Sequence, residues 1–336
     1  MTSPILLGID VGTSSTKSLV LSSDGRVLGV AVKDTPVDTP RPGWAEQDPE
    51  AWVAAALSTA RRAVDAAGVD ASAIHAVGLS GQMHGTVCVD SSGVPLRPAV
   101  IWADQRSSQQ VAELQAEIGP QCLAAWTGNP VATGFMLATW LWLRALEPVV
   151  YKATHWLLLP KDYVRYRITG CAGTEPSDAA STSLFDPTYR TWSTPLMAAL
   201  GLDAAVLPAV HASTEVAGGL TREAASAAGL VAGTPVVYGG SDQAAQALGN
   251  GVLAPGVASS TIGTGGQIFA PTARPTIDVA ELRMHSYCHV LPDVWHVQTA
   301  ILSAGLSLRW LRDQVLGEGS YQELADMAST VPAGAS

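Results

Sequence analysis

A pattern of strand, glycine turn and strand occurs twice in this chain, about 250 residues apart, and few folds accommodate it. In the first copy, Leu6 to Ile9 is a short apolar run of the kind found in buried strands. Asp10 ends it, and a carboxylate at the end of a buried strand needs a cation or donors. Gly12 can take positive φ, and Thr13, Ser14 and Ser15 set hydroxyls beside a row of backbone N–H groups, as in an anion nest. Lys17 adds a positive charge, and Ser18 to Leu21 leaves as a second apolar strand. There is no G-x-x-x-x-G-K-[ST], and a strand rather than a helix follows the turn, so this is not the Walker pattern. The chemistry suggested is still a triphosphate with a metal: N–H groups and hydroxyls for phosphate oxygens, Asp10 for magnesium or its waters. A tight hairpin with Asp10 as a turn residue fits the same residues. The pattern returns as Val257 to Ile262, the turn Gly263-Thr264-Gly265-Gly266, and Gln267 to Ala270. Two such hairpins point to an internally duplicated architecture in which each half lends one hairpin to a shared cleft.

Bulk properties exclude several classes. At 336 residues a division into two domains is expected. Charged residues make up 14%, and the net charge of −10 argues against a nucleic-acid partner, which needs a basic surface. The opening residues lack a basic segment and a long apolar run, and no stretch is long enough to span a bilayer. Cys88, Cys122, Cys171 and Cys288 show neither C-x-x-C nor zinc spacing, so free thiols in a reducing cytoplasm are expected.

Along the chain, Asp24-Gly25 marks a hairpin into a third strand, Arg26 to Val32, so the opening strands form an antiparallel meander. Asp48-Pro49-Glu50 starts a helix that runs to about Ala67. Ile74 to Leu79 is a buried strand ending in Ser80-Gly81-Gln82-Met83-His84-Gly85. Ligands gather at the carboxyl ends of strands in open α/β sheets. Gln82 and His84 can bond hydroxyls there, although a satisfied polar turn explains them equally. Thr86 to Val89 and Arg97 to Trp102 read as a further hairpin, before a polar helix that runs to about Ile118. Trp102 and Asp104 lie at a strand-to-helix junction suited to sugar contact or, for Asp104, to helix capping. Residues 119–229 are mostly helical, with Trp126, Trp140, Trp142 and Trp156 packing a core. Thr234 to Tyr238 is a buried strand leading to Gly239-Gly240-Ser241-Asp242-Gln243 and a helix. Asp242 is either that helix's N-cap or a carboxylate placed to take a proton from an alcohol. Ala300 to Val315 and the chain from Tyr321 to Ser336 read as two helices.

The turns at Asp10–Lys17 and Gly263–Gly266, with Gly239–Gln243, resemble the FGGY carbohydrate kinases, and the resemblance runs over nearly the whole chain. Its narrower match, to the xylulokinase branch, rests on several segments. These are Gly43–Glu50, Gly81-Gln82-Met83-His84-Gly85, Ile101–Arg106, Leu159-Pro160-Lys161-Asp162-Tyr163 and His285–His289. The resemblance implies an α/β fold of duplicated ribonuclease-H-like domains of the actin and hexokinase type, the second incomplete. Residues 1–250 would form the N-terminal sugar-binding domain with a helical insertion at about 119–229, and residues 251–336 the first part of a nucleotide-binding domain.

It further implies ATP-dependent phosphorylation of D-xylulose, with Mg2+. Asp242 would be the general base and Asp10, with Asp242, the metal-binding carboxylates. Gln82, Met83, His84, Trp102, Asp104, Asp242 and Gln243 would bind sugar. Gly12, Thr13, Ser14, Ser15, Lys17, Gly263, Thr264, Gly265 and Gly266 would bind nucleotide. A homodimer is left open as an assembly. The sequence departs from the family pattern at Ala103, Gln243 and Gly265, where asparagine, asparagine and serine are common. Family members continue through a further glycine-rich segment that packs adenine. None is found after Gly266, so the chain is expected to be a fragment with exposed apolar surface on its second domain.

Overall fold

The computed structural model describes residues 4–263, 265–301 and 303–332. Its main sheet begins with the expected meander: β1 (Ile5–Val11), β2 (Ser15–Ser22) and β3 (Val27–Asp34), each antiparallel to the next. Strand Ile74–Gly81 lies parallel to β1 on its other side, and Pro235–Val237 and Gly240–Ser241 lie parallel to Ile74–Gly81. Val216–Gly219 closes the far edge, antiparallel to Pro235–Val237. A meander followed by parallel additions beside its first strand is the ribonuclease-H-like order.

Side-chain alternation decides which face is core. Leu7, Ile9 and Val11 of β1 and Ser18 and Val20 of β2 point toward helix α1 (Pro49–Ala67), which buries Trp52, Ala56, Ala60, Ala63 and Val64 against them. Ser18 and Thr59 make a buried hydroxyl pair at 2.7 Å within this seam. The helix starts as the sequence predicts: the Asp48 side chain accepts the Glu50 N–H at 3.0 Å, Pro49 takes the first turn, and Gly68 ends it. Asp10 and Lys17, out of phase with the core residues, face the opposite side of the sheet, across from each other in register.

The segment between the two halves of this sheet is largely helical. Met136–Leu146 carries Trp140 and Trp142 into a second core with Leu123, Leu157 and Leu196, while Trp126 and Trp156 are only partly buried. The expected Thr86–Trp102 hairpin is looser than predicted. Val87–Val89 pairs with Trp156–Leu158 and Ala99–Val100 with Glu46–Gln47, leaving only single bridges at Thr86–Val100 and Val89–Pro95. These segments are too short to satisfy each other's backbone, and longer-range partners complete them.

A separate antiparallel sheet holds Ser259–Ile262, Gly266–Thr272, Trp295–Ile301 and His285–Cys288 in that spatial order. Its first hairpin resembles the opening one but turns one residue sooner: Ile262 is opposite Gly266, where Val11 is opposite Thr16. Ala300 and Ile301 belong to a strand, because they pair with Gln267 and Gly266, so the expected helix begins only at Gly305 and runs Gly305–Trp310. It continues as a wider π turn over Leu311–Leu316. The last helix is Tyr321–Ser329, opened by a capping box between Ser320 and Glu323; it stops at the Thr330 cap, short of the expected run to Ser336, and residues 333–336 lie outside the described residues.

Candidate active site

Parallel pairing brings three strand ends to one edge. Asp10 is in register with Ser80, Ser80 with Gly240, and Gly81 with Ser241. The Asp10 turn, the Ser80–Gly85 loop and Asp242 therefore converge, as the carboxyl ends of parallel strands should. Ser80 Oγ donates to Asp10 Oδ1 at 2.7 Å. Asp242 is the first residue of helix Asp242–Gly249, with Ser241 in the N-cap position, so the capping reading of Asp242 fails. Its Oδ1 accepts the Gln243 N–H at 2.7 Å. Burial, with the charge of Asp10 adding to it, pushes the Asp242 carboxyl up to about 7. Gly239 makes this approach: its φ is 84°, and a Cβ there would lie 2.0 Å from the Leu79 carbonyl oxygen.

The opening turn closes on itself, with Gly12 N–H donating to the Ser15 carbonyl at 3.1 Å. A Cβ on Gly12 would stand 2.8 Å from that oxygen, so glycine is required. The Thr13 hydroxyl is already engaged, donating to Gln82 Oε1 at 3.1 Å and accepting from Trp102 Nε1 at 2.8 Å. Ser14 and Lys17 are exposed and Ser15 half-buried. On the sheet face away from α1 a cavity of about 470 Å³ opens, with Asp10, Lys17 and Ser80 at its polar end and Leu19, Val237 and Leu248 along the rest.

In the Gly81–Gly85 loop, His84 has a φ of 71° and its ring stacks on Phe135 at 3.9 Å. Its Nδ1 lies 2.7 Å from the Ser181 carbonyl, which can only accept, so Nδ1 carries the proton and Nε2 is left as an acceptor. Burial drives the imidazole down to about 3, so it is neutral at physiological pH. Met83 is buried against Phe185 and Tyr287. Gln82 is also buried, its amide bonded to Thr13 and Gln47 rather than facing open space. Trp102 is 41% exposed, its indole edge pinned by Thr13 and the rest of the ring open. Gln243 is half-buried beside Asp242.

Asp104 is placed differently from either sequence reading. It is fully buried, accepts the Ala45 N–H at 2.6 Å and forms a bidentate pair with Arg106, whose guanidinium lies over Trp44. The next helix starts at Ser108 with Ser107 as its cap. Asp104 thus holds the 45–47 segment rather than a ligand or a helix end. In the second hairpin, Gly263 N–H bonds to the Gly265 carbonyl at 2.8 Å, Gly265 is half-buried and Gly266 pairs with Ile262; Thr264 lies outside the described residues.

Sequence reading missed a buried charge cluster behind the site. Lys161 Nζ lies 2.7 Å from Asp162, 3.5 Å from Asp178 and 3.8 Å from Glu175, and Arg165 sits 2.6 Å from Asp162. Lys161 and Arg165 both donate to the Tyr238 carbonyl at 3.3 Å. Ser177 Oγ accepts the Ser241 N–H at 2.9 Å and donates to Glu175. The cluster therefore braces the 238–241 strand that delivers Asp242. Burial, opposed by the Lys161 ammonium and reinforced by the carboxylates of Asp162, Glu175 and Asp242, pushes the Asp178 carboxyl well above the usual carboxylate range. The available signal was Lys161-Asp162 with Arg165 one turn on, inside helix Pro160–Thr169, whose Tyr163, Val164 and Ile168 are core residues.

Among the described residues no group of three or more His, Cys, Asp or Glu side chains is arranged to hold a metal. Asp10 and Asp242 nonetheless suit a hard divalent cation held largely through water, because each carboxylate repels the other when no positive charge intervenes.

The model for the FGGY family of carbohydrate kinases, N-terminal domain, matches residues 5–249. The xylulose kinase of Escherichia coli (strain K12) is 38% identical over 306 residues, covering 90% of this chain and 62% of the relative. That of Bacillus subtilis (strain 168) is 34% identical over 330 residues, covering 98% and 66%. The chain thus spans roughly two thirds of the length of these curated relatives. A solved kinase structure from Brucella ovis, titled a xyloylose kinase, superposes with a TM-score of 0.89 at 35% identity, covering 99% of this chain and 68% of that one. A glycine-turn meander, three converging strand ends with Asp10 and Asp242, and a family match over residues 5–249 together show that this chain belongs to the FGGY family of carbohydrate kinases.

Proposed function

We propose that this chain carries the sugar site and catalytic base of an ATP-dependent kinase that converts D-xylulose to D-xylulose 5-phosphate. The carrying observation is Asp242: a carboxylate raised to about 7, beside Asp10, at the strand ends that also present the His84 loop. The sugar's terminal hydroxyl attacks the γ-phosphorus, its proton passes to an Asp242 oxygen, and ADP leaves. The alcohol becomes strongly acidic only as the P–O bond forms, so a base of this strength suffices, and positioning does most of the work. His84 Nε2 accepts from a sugar hydroxyl, Met83 supplies an apolar wall, Trp102 offers its open ring face, and Gln243 bonds at the rim. Backbone N–H groups of Thr13 to Ser15, the Ser14 and Ser15 hydroxyls and Lys17 cradle phosphates, together with the second glycine turn. Asp10 and Asp242 would hold magnesium, which would supply charge neutralisation at the phosphates. Xylulose kinases at 34–38% identity favour the ketopentose over other family substrates. No described helix is long and apolar enough to cross a membrane, and the four cysteines are free, which suits a cytoplasmic enzyme. A homodimer is compatible with this reading.

The test is ADP release by the 336-residue chain with ATP, magnesium and D-xylulose, compared with L-ribulose, gluconate and glycerol, alongside calorimetry with each sugar. Selective turnover or binding of D-xylulose supports the reading. Preference for another sugar, or no sugar binding at all, overturns it.

A further inference from the structure

Three residues, Gln47, Gln82 and Thr13, form a closed circuit between the Gly12–Ser15 turn and the Gly81–Gly85 loop, with Trp102 attached to it. Gln82 Nε2 donates to Gln47 Oε1 at 2.9 Å, and Gln47 Nε2 donates to the Thr13 carbonyl at 2.8 Å and the Pro36 carbonyl at 3.1 Å. Thr13 Oγ1 then returns to Gln82 Oε1 at 3.1 Å, and Trp102 Nε1 closes on Thr13 Oγ1 at 2.8 Å. Gln47 and Gln82 are both 1% exposed, and both N–H donors and the carbonyl oxygen of the Gln47 amide are used toward these partners. Such buried, satisfied amide networks have few alternative arrangements, so moving one member moves the rest. A backbone bond from Gln82 N–H to Val11 also joins the two segments, but it ends before the turn itself.

We propose that Gln47 is a positioning residue that transmits sugar occupancy at Met83 and His84 to the phosphate-binding turn at Gly12–Ser15. The inference rests on the functional reading above, because it takes D-xylulose as the ligand of the 83–84 loop. A sugar that orders His84 restrains Gln82, its near neighbour in the chain. Gln82 restrains Gln47 and the Thr13 hydroxyl, and both hold the turn whose N–H groups face phosphate. Coupling of this kind is a free energy shared between two sites, and the same circuit would make phosphate binding tighten the sugar loop. Trp102, tied to the same hydroxyl, extends the link to the open ring face.

The experiment is amide hydrogen exchange over residues 10–17 with and without saturating D-xylulose, with sugar affinity measured in parallel by calorimetry. It needs no nucleotide. In the unaltered chain the sugar is expected to slow exchange at the turn about threefold or more. Gln47→Leu and, independently, Thr13→Val cut different arms of the circuit. Gln47→Leu is expected to bind D-xylulose within about threefold of the unaltered chain while losing most of that slowing, and Thr13→Val to lose it at saturating sugar whatever its affinity. A purely structural role would instead speed exchange equally with and without sugar. Thr13→Val, which keeps shape and alters a half-buried residue, carries the test if Gln47→Leu does not fold. Equal slowing in the variants, or none in the unaltered chain although sugar binds, overturns the inference alone. Failure of the unaltered chain to bind D-xylulose overturns the functional reading and the inference with it.

Discussion

Asp242 and His84 show how position rather than residue type sets chemistry. The Asp242 carboxyl, raised from 3.8 to about 7, is half ionised near neutrality. As the proposed base it must be deprotonated, so kcat/KM with saturating ATP should fall as pH drops, with a midpoint shifted below about 7 by bound magnesium. Asp242→Ala should lower kcat by roughly 10²–10⁴-fold while sugar affinity changes little; activity surviving that change would exclude the assignment. The same shift has a stability sign. A raised carboxyl contributes stability fully below its unfolded value of 3.8, and that contribution is lost as pH rises through about 7. Asp242→Asn should therefore raise the melting temperature at pH 8, reflecting about 1–3 kcal/mol, and the gain should vanish by pH 4. His84, held near 3, stays neutral across the working range, so sugar affinity should not track imidazole titration between pH 5 and 8. His84→Phe should weaken D-xylulose binding roughly 10–100-fold in calorimetry, the loss of a hydrogen bond to a buried group. Unchanged affinity would remove Nε2 from the sugar site.

At the scale of elements, the strand that delivers Asp242 is held from behind. Helix Pro160–Thr169 and the short Pro176–Ala179 helix bring Lys161, Arg165, Glu175 and Asp178 together with no exposed side chain among them. Lys161 and Arg165 are the two cations set among the buried carboxyl groups of Asp162, Glu175 and Asp178. Removing one cation leaves buried negative charge uncompensated. Lys161→Met should then destabilise the protein by about 3–5 kcal/mol in urea unfolding. A loss below about 1 kcal/mol would mean that the cluster relaxes or hydrates when broken. The brace also explains why Gly239 and Gly240 can sit in a strand end without loosening it: Tyr238 and Ser241 on either side are bonded to Lys161, Arg165 and Ser177.

Across the whole molecule, the two sheets differ in how much apolar surface they leave open. The main sheet buries Leu7, Ile9, Val11, Val20 and Val77 under helices. In the last 80 or so residues, Ile262, Ile268, Ile301, Trp310, Val315 and Met327 are each more than half exposed. A patch of this kind favours association. The isolated chain should bind a hydrophobic dye and sediment with rising mass at increasing concentration. A concentration-independent monomer that ignores the dye would show the patch to be dispersed or inert. The meander, the α1 start at Asp48-Pro49-Glu50, the glycine turns and the family were legible from the chain alone, because turn stereochemistry, capping and strand periodicity are local properties. Tertiary structure alone decided the rest. It spent Asp104 on Ala45 and Arg106, committed Gln82 and the Thr13 hydroxyl to an internal circuit, and gave Ala300 and Ile301 to a strand. It also assembled the Lys161 cluster from segments distant in sequence. Hydrogen-bond saturation and desolvation depend on which distant groups arrive at a side chain, and no local pattern encodes that.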